Sequence, residues 1–202
     1  MPEVRVNRTL PAQLSRQLIR ALLKEIGDYT LRGMIQRAGI TRWDEKLGWM
    51  DGAEGLRADE YARLLAQIRE YYGTGARGLL NRVGRIAWGE LIQDSDVRIW
   101  GKGWVGRLMP HQRGARLALE TLAEQMRGLK GDVSVHLLDI DLYLIDSTSD
   151  ATYEQKAEEP VCAPTVGLIQ AALTWSTGMA YDVEEVACRA SGAEACKFRV
   201  RL

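Results

Sequence analysis

The chain is 202 residues long, with 46% hydrophobic and 27% charged residues. That is the balance of an ordinary folded domain, long enough to bury a core and too short for two full domains. Lys plus Arg and Asp plus Glu each number 27, so no basic excess speaks for nucleic acid as a partner.

No stretch approaches the roughly 18 uninterrupted apolar residues of a membrane span. The start, Met1-Pro2-Glu3-Val4-Arg5, lacks a signal peptide's apolar segment. The chain therefore reads as cytoplasmic. Its three cysteines, Cys162, Cys188 and Cys196, all fall near the C-terminal end, and in a reducing compartment they suggest a metal or redox cluster before a disulfide frame. The two histidines, His111 and His136, are too few for a His-rich catalytic centre.

In chain order, Leu14, Leu18, Ile19, Leu22, Leu23 and Ile26 recur at helical spacing over Pro11 to Ile26, with Gly27 as the stop. Tyr29 to Ala38 predicts a second, shorter helix closing at Gly39. Thr41 to Ala58, with Trp43, Leu47, Trp49 and Met50 among glycines and charges, reads as a packed loop. Asp59 to Tyr72 and Ala76 to Ile92 are helical patterns separated by Gly73 and Gly75, and Asp59 is placed as an N-cap or first-turn acid. A break is expected from Asp94 to Gly106, followed by a helix from Arg113 to Arg127.

The period then changes. Val133, Val135 and Leu137 alternate with polar residues, and Leu142 and Leu144 lie in a second strand ending at Asp146. Ser147-Thr148-Ser149-Asp150 is a turn signal, and Thr152 to Ala157 is expected as a return strand. Pro164 to Thr177 is apolar on most sides, a buried helix stopped by Gly178. Tyr181 to Ala190 and Ala195 to Leu202 are strands around Ser191-Gly192-Ala193-Glu194. Helices first and antiparallel strands later predict an α+β fold in which a buried helix precedes a C-terminal β-hairpin.

Cys162, Glu185, Cys188 and Cys196 are the strongest chemical constellation. Zinc takes four N, S or O ligands tetrahedrally, and three thiolates with one carboxylate fill that sphere without room for water. The N-terminus of the buried helix favours a thiolate at Cys162. Strict strand alternation puts Glu185 and Cys188 on opposite faces, so a bulge or strand end is needed between them. The complex would carry a formal charge of minus two, which Arg189, Lys197 and the helix N-terminus are placed to offset. Three buried apolar cysteines, or a redox pair of Cys188 and Cys196, remain open on spacing alone.

Other patterns carry less. Gly101-Lys-Gly103-Trp-Val-Gly106 matches G-x-G-x-x-G, but without a βαβ context it reads as a flexible loop joining helices. Asp139, Asp141, Asp146 and Asp150 do not have calcium-loop spacing, and no G-x-S-x-G occurs.

Glu185-Val-Ala-Cys188-Arg-Ala-Ser-Gly192-Ala-Glu-Ala-Cys196-Lys-Phe198 resembles the closing signature of the 4-vinyl-reductase domain family, E-x-x-C-x-A-x-G-x-x-x-C-x-F. Pro160-Val-Cys162, Gly167 and the end of the helix from Trp175 to Gly178 are similar to the segment before it. Tyr72-Gly73-Thr-Gly75-Ala76-Arg77-Gly78 and Gly84-Arg85 are similar to the family's middle region. The resemblance implies a fold shared with the haem nitric-oxide sensor domain and with transport-particle subunits of Golgi trafficking. It also implies a structural zinc, as in the sensory domains of phenol- and xylene-responsive activators, held here by Cys162, Glu185, Cys188 and Cys196.

The expected function is a stand-alone zinc-containing binding or sensor module for a small hydrophobic or aromatic molecule. The alternative is an accessory protein or reductase in (bacterio)chlorophyll or tetrapyrrole metabolism, and a trafficking-type scaffold is a third class. Trp100, Trp104, His111, Tyr143 and Trp175, with Trp88 nearby in sequence, are candidates to line the ligand pocket, ordinary core packing being the competing explanation. No catalytic residue is assigned. Residues 1–58 are expected as a helical arm and residues 59–202 as the ligand-binding domain. A homodimer is expected through Leu18, Leu22 and Ile26, unless that apolar face packs on its own domain.

Overall fold

A computed structural model describes residues 8–41, 55–94, 97–126 and 132–202, with backbone alone for 97–101. The helices are α1 (Ala12–Ile26), α2 (Asp28–Arg37), α3 (Ala58–Tyr72), α4 (Ala76–Gln93), α5 (Val97–Leu108), α6 (His111–Met126) and α7 (Ala163–Thr177). The strands are β1 (Val133–Leu138), β2 (Asp141–Asp146), β3 (Val183–Ala187) and β4 (Cys196–Val200). They form one antiparallel sheet in the order β1-β2-β4-β3. The α+β expectation holds.

The sheet is half-wet, as its alternation demands. Leu142 and Leu144 of β2, and Cys196, Phe198 and Val200 of β4, are buried, while Lys197 is exposed and Arg199 half-buried. Helix α7 is apolar around its circumference and is buried among α4, α5, α6 and β3. Gly178, in the left-handed conformation at φ 75°, ends it.

Two pairs of glycines set how closely α7 is approached. A Cβ on Gly84 of α4 would overlap the carbonyl oxygen of Pro164, and one on Gly167 of α7 would overlap that of Asn81. The α4 and α7 backbones therefore touch, which no larger residue permits. Likewise a Cβ on Gly103 would collide with the Trp175 ring, and one on Gly106 with Ser176 Oγ.

That second pair corrects the sequence reading. The glycines of Gly101 to Gly106 belong to helix α5, where a break and a loop were expected. Glycine is a poor intrinsic helix former, but here close packing on α7 outweighs the propensity cost. The expected return strand over Thr152 to Ala157 is also absent. Asp150–Thr152 is a 3-10 turn instead, because local hydrogen bonds compete with strand pairing. Thr152 Oγ1 donates to the Ser149 carbonyl at 2.7 Å, and the Arg8 guanidinium holds Asp150 at 2.6 Å and Asp132 at 2.9 Å.

The N-terminal segment does not stand apart. Leu14, Leu18, Ile19 and Leu22 are buried in the common core against α4, and Thr9 bridges to Arg57. The face expected to mediate a dimer is thus covered by its own chain, because one amphipathic helix needs only one apolar surface to cover it. The loop residues Trp43, Leu47, Trp49 and Met50 lie outside the described residues. Among the described residues, no helix is long and apolar enough to cross a membrane.

Candidate metal centre

Four elements meet at one end of the sheet. Cys162 is the N-cap of α7, Glu185 points inward from β3, Cys188 follows that strand, and Cys196 opens β4. All four are buried, and their donor atoms lie within 4.8 Å of one another. The sulfurs of Cys162 and Cys196 are 3.6 Å apart.

The local backbone explains the convergence. The β3–β4 register shifts between Glu185 and Ala187, so Val186 is the extra residue of a bulge and Glu185 and Cys188 turn to the same side. This is the irregularity that the sequence required. After Cys188 the chain makes a 3-10 turn over Arg189–Ser191. Gly192, at φ 94°, returns it to β4 in a conformation that suits glycine. Within that turn the N–H groups of Ser191 and Ala193 donate to the Cys188 carbonyl at 3.1 and 3.2 Å.

Backbone donors already address the ligating groups. The Cys162 N–H donates to Glu185 Oε2 at 3.0 Å, and the Arg189 N–H donates to Cys196 Sγ at 3.4 Å. Glu185 Oε1 is buried with no hydrogen-bond partner. A buried carboxylate oxygen in that condition is costly unless something else binds it, and a cation among the three sulfurs is such a partner. The donor set therefore fits a metal ion.

Protonation follows the same logic. Without metal, burial pushes the Glu185 carboxyl up to about 8. The Cys162 thiol rises because it donates to Cys188 and Cys196, and Cys196 is pushed up to about 12. Cys188 is lowered, since the Cys162 and Cys196 thiols donate to it. Four acidic groups in one buried space cannot all shed protons, so one thiolate is held by the protonated others. A divalent ion would replace those protons.

The compensating cation is not the one expected. Lys197 is exposed and points away from the cluster, and Arg189 serves through its backbone N–H. Arg69 of α3 is within electrostatic reach of the cluster instead: burial lowers its pKa, and the charges of Cys162, Cys188 and Glu185 oppose that shift. Its Nη1 is buried with no partner, while Nη2 donates to Gln155 Oε1 at 3.3 Å. Sequence reasoning missed Arg69 because nothing local to α3 signals that it reaches the C-terminal cysteines.

The aromatic candidates are not brought together. Trp104 is 72% exposed on α5, and His111 is exposed at the start of α6. Tyr143 is half-buried on the outer face of β2, opposite His136 of β1. The side chain of Trp100 lies outside the described residues. Trp175 borders a cavity together with Trp88, whose ring it meets edge-on at 5.5 Å and 72°.

The V4R domain family matches residues 147–202, the stretch that contains all four cluster residues. No curated protein matches the sequence. Among solved structures, an H-NOX protein from S. oneidensis in the Fe(II)NO ligation state is similar at 12% identity and a TM-score of 0.59. That match covers 95% of this chain and 98% of the other. Unliganded Fe(II) H-NOX from K. algicida is similar at 14% identity and a TM-score of 0.59, with 95% of each chain covered. An oxygen-binding H-NOX domain related to soluble guanylate cyclases gives 15% identity, a TM-score of 0.55, and coverage of 94% and 92%. At such identities the likeness shows the fold alone. The chain thus carries a V4R domain at residues 147–202 within an H-NOX-like α+β fold.

Proposed function

We propose that the chain is a small-molecule-binding sensor module whose V4R domain is tied together by one structural zinc. The observation that carries this reading is the closed donor set. Three sulfurs and one carboxylate, all within 4.8 Å of one another, supply the four ligands of a tetrahedral zinc and would leave no position at which water is activated. The ion's part is to cross-link α7, β3 and β4; Cys162, Glu185, Cys188 and Cys196 hold it, and Arg69 offsets its excess negative charge.

Among the similar H-NOX structures, one holds Fe(II)NO and another is an oxygen complex, and a third concerns haem distortion. Haem does not fit this chain on the same terms. Its two histidines are both exposed, and His136 is engaged with Ser134 Oγ at 2.9 Å. Neither imidazole reaches an interior pocket as an axial ligand. The ligand is therefore a small apolar or aromatic organic molecule rather than a gas on iron.

The test is a thermal-shift series on the zinc-loaded protein with apolar aromatic compounds. A dose-dependent rise in melting temperature is expected, because a ligand selective for the folded state stabilises it. No rise with any compound, or turnover of a vinyl-bearing tetrapyrrole with added reductant, contradicts the reading.

A further inference from the structure

A cleft of about 560 Å³ opens between α4 and α7, away from the metal centre, and falls in the size range of small-molecule sites. From α4 it takes Arg85, Trp88, Gly89 and Ile92; Gln170, Ala171 and Trp175 come from α7, and Tyr181 closes one end. Its floor is the edge-on pair of Trp88 and Trp175. Small residues leave the room: a Cβ added to Gly89 would meet nothing within 4 Å.

Three residues of the wall carry buried polar atoms that have no partner: Trp88 Nε1, Gln170 Oε1 and Tyr181 OH. Trp88 itself is 2% exposed. Buried polar groups are normally paired, and three unpaired ones around a single space mark a place where a ligand supplies the missing bonds. Of these, the indole N–H donates, the Tyr181 hydroxyl donates or accepts, and the Gln170 amide oxygen accepts. Arg85, exposed at the rim, makes no ion pair with any described residue, and among the described residues no acidic side chain lines the cleft. Aromatic walls select a flat apolar body, and the Arg85 cation, with the indole N–H and the Tyr181 hydroxyl as donors, selects an oxygen-rich, negatively charged group.

We propose that this cleft is the ligand site and that it takes a flat aromatic carboxylic acid, the ring against Trp88 and Trp175 and the carboxylate toward Arg85. The proposal rests on the binding reading above and gives that reading a place and a ligand chemistry.

Calorimetry on the full zinc-loaded chain, with 2-naphthoate, 2-naphthol and 2-naphthylmethylamine as probes, tests it. The acid should bind best, by about tenfold or more over the cation, and should shift the Trp88 indole N–H resonance. Gly89→Leu fills the cleft from α4 and Ala171→Phe fills it from α7. Each should weaken 2-naphthoate at least about tenfold while zinc content and helicity stay as in the wild type. Arg85→Gln should reduce the acid to the level of 2-naphthol. Unchanged binding in Gly89→Leu and Ala171→Phe, an unmoved Trp88 resonance, or preference for the amine overturns the proposal. If another aromatic compound still raises the melting temperature of wild type and Gly89→Leu alike, the cleft is wrong and the binding reading stands. If no aromatic compound binds at all, both fall.

Discussion

The backbone N–H of Cys162 donates to Glu185 Oε2 at 3.0 Å, so the N-cap of α7 and the bulged strand β3 are joined before any metal is considered. The same contact leaves the other oxygen, Oε1, buried and unpaired among three sulfurs. The fold brings the four groups together and leaves a carboxylate oxygen for an ion to bind.

Removing the ion should therefore loosen the C-terminal half. Cys188→Ser, or treatment with a strong chelator, is expected to lower stability by about 4 kcal/mol or more, the effect of a ligand present at a thousand times its dissociation constant. Calorimetric melting with and without chelator measures it. Zinc affinity should also fall as pH falls below about 8, where the Glu185 carboxyl takes up its proton.

Arg69 is predicted to tune the metal rather than hold the fold. Arg69→Gln should weaken zinc roughly 10- to 100-fold, in line with the loss of other supporting groups around metals. Arg69→Lys should recover part of that loss. Competition against a chromophoric chelator reads the affinity directly, and circular dichroism shows that the helices persist.

Gly84 and Gly167 make the opposite kind of prediction. Gly84→Ala or Gly167→Ala forces a methyl group into the facing carbonyl oxygen and should cost on the order of 1–3 kcal/mol or more. Gly89→Ala, one and a half turns along the same helix and facing open space, should be neutral or stabilising by up to about 1 kcal/mol. Chemical denaturation of the three variants separates close approach from helix propensity.

Much of this was legible in the sequence. The alternation in β2 and β4 is unambiguous because one face is buried, whereas β1 buries only Val133 despite its alternating sequence, and the four candidate metal donors stand out by residue type and spacing. What was illegible depends on partners distant along the chain. Gly103 and Gly106 look like loop residues until Trp175 and Ser176 are seen against them. Trp88 and Trp175 become neighbours only when α4 and α7 touch, and Arg69 comes within electrostatic reach of the cysteines only through the tertiary fold. Periodicity reports which face of a helix is buried, not which other helix buries it.

Asp146 gives a pH prediction. Its carboxyl is buried beside the Arg8 network, accepts from the Thr148 N–H at 3.1 Å, and is raised by burial to about 6 from an ordinary 3.8. A raised carboxyl binds its proton more tightly in the folded state. Its contribution is thus complete below pH 4 and is lost as pH rises through about 6. Asp146→Asn, which keeps the oxygen that accepts from Thr148, should flatten the stability profile between those values. Melting temperatures at pH 4, 5, 6 and 7 for both proteins test it.

The most direct test of the central claim is X-ray absorption at the zinc edge on protein expressed in zinc-replete medium. The account predicts one zinc per chain with three sulfur neighbours near about 2.3 Å, one oxygen near about 2.0–2.2 Å, and no exchangeable water. A metal-free protein, or an ion bound by oxygen and nitrogen alone, would contradict it.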